Sequence, residues 1–280
     1  MVANAPRQSA SGLRLSLFIT FVGIHLLQTL GLIASPRRSA VACLDGDGRL
    51  EALELAGGDD ELLGLIPDAA AWLCVDAPLA VPNETGSRDA ERVLAWCDVP
   101  AFPVSRRRLA QVHGGARGVG LAPALARSGR ELRETLPDLV LRELAWERSH
   151  PPHAPALDLA DYRPAWLGVR APAYRPKGRG RARPAGLAQA QALLAGVVDL
   201  RGWTPQTDGD DWEALDDAAR LDALCCAYAA LRLARGRGTA TIGGPETGHV
   251  AFPADANLRA RVALTVERLA AEGAITRPAP

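Results

Sequence analysis

An apolar run near the N-terminus constrains the fold of this chain more than any other feature. Residues 15–34 read LSLFITFVGIHLLQTLGLIA, which is long enough to cross a bilayer as one helix. Several polar residues interrupt the run, and His25 near its middle would be costly in a lone membrane helix. Alternatively, the β-branched and aromatic residues of Leu17–Ile24 suit a buried strand. Both alternatives stay open at this point, and the elements that follow favour the strand.

The segments after this run predict a definite order of elements. Two strands flank Asp45–Gly48, which is rich in residues that accept positive φ, so we expect a hairpin there. Acidic residues then open a short helix, and an unbroken apolar strand follows it. These elements are Ser39–Leu44, Arg49–Leu55, the helix from Asp59 to Pro67, and Ala71–Val75. The later pattern predicts helices over Arg88–Cys97, Pro137–Trp146, Leu187–Val198 and Leu215–Arg235, a strand-like step from Leu132 to Glu134, and an edge strand Thr239–Ile242.

Charge and cysteine usage narrow the function classes. The 280 residues carry 32 Lys and Arg against 32 Asp and Glu, so no bulk charge attracts the chain to nucleic acid or anionic lipid. A local patch would have to supply any such contact. The five cysteines are odd in number and show no Cys-x-x-Cys spacing. We therefore expect buried free thiols and a reducing compartment, the cytoplasm.

Three carboxylates on separate elements are the candidates for chemistry. Asp76 directly follows the apolar strand, at the carboxyl end where open α/β sheets place active sites. Asp222 shares a helical face with small apolar residues, and a buried carboxylate must be paired, hydrogen-bonded or bound to metal. Glu134 ends a strand before a helix that begins with proline. Each residue also has an ordinary structural interpretation, as a turn residue, a rim ion pair or part of an N-cap. If the three converge, they could hold Mg²⁺ or Mn²⁺ for phosphoryl chemistry.

Four stretches of the chain carry a resemblance to a known family: CVDAPLAVPNETGSRDAERVL, RETLPDLVLREL, YRPKGRGRAR and DDAARLDALCCAYAALRLARG. From about Phe21 to Ala260, the chain resembles the predicted ribonuclease-H-like nucleases grouped as the domain of unknown function 429. The resemblance implies a ribonuclease-H-like α/β fold, with a mixed sheet in strand order 3-2-1-4-5 and flanking helices. It also implies that Asp76, Glu134 and Asp222 take the family's acidic positions as catalytic residues and metal ligands, with Mg²⁺ or Mn²⁺ as the cofactor.

The chain departs from the family pattern at two positions. Gly23-Ile24-His25 stands where the family's first strand carries Gly-Ile-Asp, and Leu136 stands where the family usually has a histidine. Imidazole binds Mn²⁺ or Zn²⁺ but is a poor ligand for Mg²⁺. We therefore expect His25 at the edge of the metal cluster, and we expect any catalysis there to need Mn²⁺.

We expect a disordered N-terminus of residues 1–12, followed by one domain of residues 13–280. A Pro/Arg-rich segment of about residues 150–186 is expected to form a loop inserted in this domain. Basic side chains surround Tyr174 in this segment, which is typical of a loop that contacts phosphates, although a solvated loop has the same composition. The candidate nucleic-acid contacts are Arg175, Lys177, Arg179, Arg181 and Arg183.

These features leave three functions open. The first is a metal-dependent nuclease that acts on nucleic acid phosphodiesters and is impaired because His25 replaces the first-strand Asp. The second is a catalytically inactive homologue that binds nucleic acid through the basic loop. The third is a protein anchored in a membrane through residues 15–34. The sequence favours no membrane contact, and it specifies neither the type of nucleic acid nor the oligomeric state.

Overall fold

The chain forms a mixed α/β structure built on one sheet, and the computed structural model describes residues 20–26, 38–150, 159–175, 183–206, 211–236 and 238–276. Seven strands of the described residues form the sheet in the order β3-β2-β1-β4-β5-β7-β6. They are β1 (Thr20–His25), β2 (Ser39–Leu44), β3 (Leu50–Ala56), β4 (Ala70–Val75), β5 (Glu131–Glu134), β6 (Thr239–Ile242) and β7 (Val250–Pro253). The first three strands are antiparallel neighbours, whereas β1, β4 and β5 run parallel. The predicted order 3-2-1-4-5 is confirmed.

Helices flank this sheet. In the described residues they are α1 (Asp59–Gly64), α2 (Asp89–Trp96), α3 (Arg106–His113), α4 (Arg117–Leu125), α5 (Pro137–Ser149), α6 (Leu159–Gly168), α7 (Pro184–Leu194), α8 (Asp211–Ala234) and α9 (Ala256–Ala271). Their starts follow local rules. Acidic residues fill the first turn of α1, proline opens α5, and the side chain of Asp255 accepts a hydrogen bond from the backbone N–H of Leu258 at the start of α9.

The centre of the sheet is apolar because it is covered on both faces. Every residue of β2 is buried, as is every residue of β1 except the half-buried His25, whereas in β3, at the edge of the sheet, only the first and last residues are buried. The predicted hairpin joins β2 to β3. Its turn is held by the side chain of Asp45, which accepts hydrogen bonds from the backbone N–H groups of Asp47 and Arg49, and Gly48 supplies a φ of +84°.

Helix α8 approaches β1 unusually closely, and a glycine makes this approach sterically possible. A Cβ atom added at Gly23 would lie 2.0 Å from the carbonyl oxygen of Ala223 and 2.1 Å from the backbone nitrogen of Ala227. Both contacts are with helix backbone, which cannot move aside as a side chain can. The glycine therefore sets the height of α8 above the sheet, and with it the position of every side chain that the helix directs toward β1.

Several predicted elements differ from those in the structure. The segment predicted as a loop after His150 contains α6, because Tyr162 and Trp166 bury one face of it in the core despite an internal proline. The pattern did not predict α3, α4 or α9, and it did not predict β7, which lies between β5 and β6. Helix α7 begins and ends a few residues earlier than expected.

The N-terminal apolar run contributes a strand, not a continuous helix. Thr20–His25 pairs with β2 on one side and β4 on the other, so a helix over residues 15–34 is contradicted. Among the described residues, no helix has both the length and the apolar character needed to cross a membrane. The predicted disordered N-terminus, residues 1–12, lies outside the described residues, as do residues 17–19 of the predicted first strand.

All five cysteines are free and buried, as predicted. Burial raises the pKa of Cys43 and of Cys74 to about 12. The thiolate is the nucleophilic form of cysteine, so these two side chains are unsuited to covalent catalysis near neutral pH.

Candidate metal centre

The candidate site lies at the carboxyl ends of two parallel strands. His25 is the last residue of β1, and Asp76 follows the last residue of β4. Ile24 pairs with Val75 across these strands, so the residues that follow them emerge side by side at the same edge of the sheet. Asp222 comes from α8, the helix that Gly23 allows to pack against β1. Three elements distant in sequence therefore bring one imidazole and two carboxylates together.

The imidazole of His25 lies between the two carboxylates. Its Nδ1 atom is 2.5 Å from Oδ2 of Asp76 and 3.4 Å from Oδ2 of Asp222. The backbone N–H of Leu26 donates a hydrogen bond of 2.8 Å to the other oxygen of Asp76, which fixes the orientation of that carboxylate. One ligand atom from each of the three residues lies within 4.8 Å of the other two. This spacing suits a single divalent ion held by one nitrogen and two oxygens.

Asp222 has two further partners that the sequence did not reveal. The hydroxyl of Tyr174 donates a hydrogen bond to its Oδ1 atom. The guanidinium of Arg175 donates to both carboxylate oxygens, with an Nε–Oδ2 distance of 2.9 Å, and also lies 2.9 Å from Oδ1 of Asp138. Arg175 thus neutralises a carboxylate that is almost completely buried. A divalent ion at this centre would share Asp222 with this guanidinium or displace it.

Burial and ion pairing have opposite effects on the titration of this cluster. Burial alone disfavours the charged imidazole of His25, but the adjacent Asp76 carboxylate outweighs burial and raises the pKa of His25 above its usual value. Burial raises the pKa of Asp222, while Arg175 and then His25 oppose that increase. A histidine must lose its proton to bind a metal, so protons and metal ions compete at His25.

Glu134 lies apart from this cluster, contrary to the expectation that it joins Asp76 and Asp222 in one metal site. Two nitrogens of Arg88 each donate a hydrogen bond of 2.8 Å to its carboxylate, and the backbone N–H of Leu79 donates another of 2.9 Å. Arg88 also pairs with Glu91, and all three charged side chains are buried. A buried guanidinium therefore neutralises the Glu134 carboxylate. Removing one member would leave an uncompensated buried charge.

The basic segment is described in part. Lys177, Arg179 and Arg181, three of the predicted nucleic-acid contacts, lie outside the described residues. Arg175 is engaged with Asp222 and Asp138, so its main contact is with the candidate metal centre. Arg183 is exposed and immediately precedes α7.

A cavity of about 500 Å³ opens beside the cluster of His25, Asp76 and Asp222. His25 and Asp76 line it, together with the first turn of α5 and the segment from Val169 to Arg175. A smaller cavity of about 230 Å³ is lined by Arg88 and Glu134 among others, and Asp76 also lines it. The cluster can therefore be reached by a small molecule or by one unit of a polymer.

Sequence reasoning assigned no role in the site to Tyr174 or Asp138, although a feature of the sequence draws attention to each of them. Tyr174 is the aromatic residue of the Pro/Arg-rich segment, and Asp138 lies in the first turn of a helix that follows a candidate carboxylate. Neither feature identifies the partner of the residue. Tyr174, for example, binds Asp222, which is 48 residues away in the sequence.

The fold and the site define an α/β protein with a candidate metal centre at the edge of a mixed sheet. The chain belongs to the family described as "Protein of unknown function (DUF429)", which it matches over residues 35–247. Asp76, Glu134 and Asp222 lie inside the matched region, whereas His25 precedes it. Comparison with curated proteins and with solved structures gave no match.

Proposed function

We propose that this chain is a metal-dependent nuclease that hydrolyses nucleic acid phosphodiesters, with His25, Asp76 and Asp222 holding one divalent ion. The observation that carries the proposal is the convergence of these side chains beside a cavity that admits a ligand. A divalent ion held by these residues would supply a Lewis acid and would make a bound water molecule more acidic, and both effects would promote attack on phosphorus.

The donor set supports one ion and favours Mn²⁺ over Mg²⁺. Glu134 is paired with Arg88, which leaves His25, Asp76 and Asp222 as the cluster that the described residues offer. An imidazole ligand suits Mn²⁺ or Zn²⁺ better than Mg²⁺, which prefers a shell of oxygens. We therefore expect a single-ion site instead of the paired ions that many nucleases use.

Arg175 has a function of its own in this proposal. Its guanidinium binds Asp222 through two donors, and the same planar arrangement of donors suits phosphate oxygens. A cation bound to Asp222 would weaken the ion pair between that carboxylate and Arg175. The guanidinium, which lines the cavity, would then be available to bind a phosphate there.

A second candidate function is nucleic acid binding without cleavage. The observation that favours it is the balance of charge at the cluster. Asp76 is paired with His25, and Asp222 is paired with Arg175, so neither carboxylate needs a metal ion to be neutralised. In that case the basic segment would bind phosphates and the cluster would be structural.

A cleavage assay separates the two candidates. Labelled single-stranded, duplex and branched DNA and RNA are incubated with the protein and either Mn²⁺ or Mg²⁺. We expect cleavage with Mn²⁺, and we expect Asp76→Asn to reduce it by about tenfold to a hundredfold or more, because the amide keeps the shape but not the charge of a metal ligand. Asp47→Asn, in the exposed turn between β2 and β3, is the matched control and should cleave as the wild type does.

The two outcomes are distinct. Cleavage that Asp76→Asn abolishes and Asp47→Asn preserves supports the nuclease proposal. A folded protein that binds these nucleic acids but cleaves none of them with either ion rejects it in favour of the binding function.

A further inference from the structure

The larger cavity combines an apolar wall with uncompensated positive charge. Much of its lining is apolar, including Val99, Leu136 and Val169. Its two acidic residues are already paired, Asp76 with His25 and Asp138 with Arg175. Two further arginines, Arg142 and Arg170, line the cavity.

Arg142 is held rigidly in this wall. Its side chain is almost completely buried, its guanidinium carbon lies 3.5 Å from the centroid of the Trp166 ring, and it donates a hydrogen bond of 2.9 Å to the carbonyl oxygen of Trp166. Its Nε atom is buried and has no hydrogen-bond acceptor. Buried cationic donors are normally satisfied, so an unpaired guanidinium in the wall of this cavity favours an anionic ligand there.

Arg170 is the second cation, and it is exposed. Neither Arg142 nor Arg170 forms an ion pair with another described residue, whereas more than half of the described arginines form one. Burial lowers the pKa of Arg142, and the positive charge of Arg170 lowers it further, against the opposing effect of Glu143. The two guanidinium groups therefore repel each other, and an anion between them would remove that repulsion.

A buried hydroxyl adds a third unsatisfied group. Thr135 is 1% exposed, lines the same cavity, and its Oγ1 atom has no hydrogen-bond partner. It follows β5, one strand away from Asp76, which also lines the cavity. Two residues on different elements, each with a buried polar atom that lacks a partner, thus line one cavity beside the cluster of His25, Asp76 and Asp222.

We propose that this cavity binds one unpaired nucleotide, with its phosphate between Arg142 and Arg170 and its base against the apolar wall. The inference rests on the proposed function and specifies its substrate class as single-stranded nucleic acid or a frayed end. The volume of about 500 Å³ lies within the range of about 300–1,000 Å³ found for small-molecule sites. A duplex is too wide to enter, whereas an extruded nucleotide is the unit that such pockets accept.

Calorimetric titration in metal-free buffer with EDTA tests this inference. The probes are adenosine 5′-monophosphate, thymidine 5′-monophosphate, adenosine and inorganic phosphate. We expect both nucleotides to bind at least about tenfold more tightly than adenosine or phosphate, because each of those probes makes half of the contacts. Arg170→Ala should weaken nucleotide binding about tenfold, and since this side chain is exposed, the variant should fold. Arg107→Ala, an exposed arginine of α3, is the matched control and should bind as the wild type does.

A second variant addresses the buried arginine. Arg142→Lys keeps the charge but loses the planar guanidinium, so it should also weaken nucleotide binding while its melting temperature reports whether the fold is retained. Nucleotides that fail to bind the wild type, that bind no better than phosphate alone, or that bind Arg170→Ala as tightly as the wild type overturn the inference.

The result of this titration does not depend on the proposed nuclease function, because nucleotide binding is measured without metal and without cleavage. Tight nucleotide binding in a protein that cleaves nothing supports the cavity assignment and rejects the nuclease proposal. Cleavage within a duplex, by a protein that binds no mononucleotide, rejects the cavity assignment and retains the nuclease proposal.

Discussion

Replacing Arg175 by alanine should increase the affinity of the protein for Mn²⁺. The guanidinium binds both oxygens of Asp222, and it is a cation located where the proposed divalent ion would bind. Its removal frees these oxygens and removes a charge that repels the ion. His25 and Asp76 keep their mutual contact and the hydrogen bond from Leu26, so the remainder of the cluster should stay in place.

The size of the effect follows from Coulomb's law. A divalent ion and a guanidinium about 4 Å apart repel by about 2 kcal/mol at the dielectric constant of water and by about 8 kcal/mol at an effective dielectric constant of about 20. The side chain of Arg175 is 36% exposed, so we use the water-screened limit. About 2 kcal/mol corresponds to roughly a thirtyfold decrease in Kd.

Isothermal titration with Mn²⁺ measures this change, and the melting temperature gives a second measure of it. Mn²⁺ should raise the melting temperature of Arg175→Ala more than that of the wild type, because an ion that binds the folded state stabilises it in proportion to its affinity. Arg175→Lys retains the charge and should bind Mn²⁺ nearly as the wild type does. If folded Arg175→Ala binds Mn²⁺ no more tightly than the wild type, Arg175 does not compete with metal and the reasoning is wrong.

Three further predictions concern single positions. Gly23→Ala should lower the free energy of unfolding by about 3 kcal/mol, since its Cβ would collide with the backbone of α8. Chemical denaturation measures this loss. The control variant Gly120→Ala should not show it, because its Cβ would meet no atom within 4 Å. Burial raises the pKa of Glu143 from 4.5 to about 8, so between these pH values the folded protein keeps a proton that the unfolded chain has released. The free energy of unfolding should therefore fall by about 1.4 kcal/mol for each unit by which the pH rises across this range. Glu143→Gln should flatten that profile, and an unchanged slope would show that another group causes it. His25→Asp should increase Mg²⁺ affinity and Mg²⁺-dependent cleavage, and the double variant with Asp76→Asn should lose this gain. A folded His25→Asp protein that binds Mg²⁺ no more tightly than the wild type would contradict the placement of His25 at the metal.

The central sheet and two of the carboxylates were predictable because local patterns specify them. The strand before Asp76 is unbroken in its apolarity, which marks a parallel strand covered on both faces. Asp222 lies on a face of small residues at helical spacing, which marks a helix packed closely on the sheet. In both cases the same few residues determine the element and the position of the carboxylate at its end or face.

The partners of the carboxylates were not predictable, because they depend on tertiary contacts. Arg88 forms an ion pair with Glu134, which is 46 residues away in the sequence. No local pattern distinguishes this arginine from the many others in the chain. Arg175 stands in a basic segment that is typical of a phosphate-binding loop, yet it pairs with Asp222. Strand β7 is four residues long and ends in proline, which is too short and too irregular for its alternation to be detected.

Pulsed electron paramagnetic resonance of the Mn²⁺-loaded protein tests the central claim most directly, because it detects nitrogen bound to the ion. We expect one directly coordinated imidazole nitrogen, whose signal disappears in His25→Ala and persists when another histidine, His113, is changed to alanine. A spectrum with oxygen ligands alone in the wild type, or a nitrogen signal that survives in His25→Ala, would contradict a metal centre formed by His25, Asp76 and Asp222.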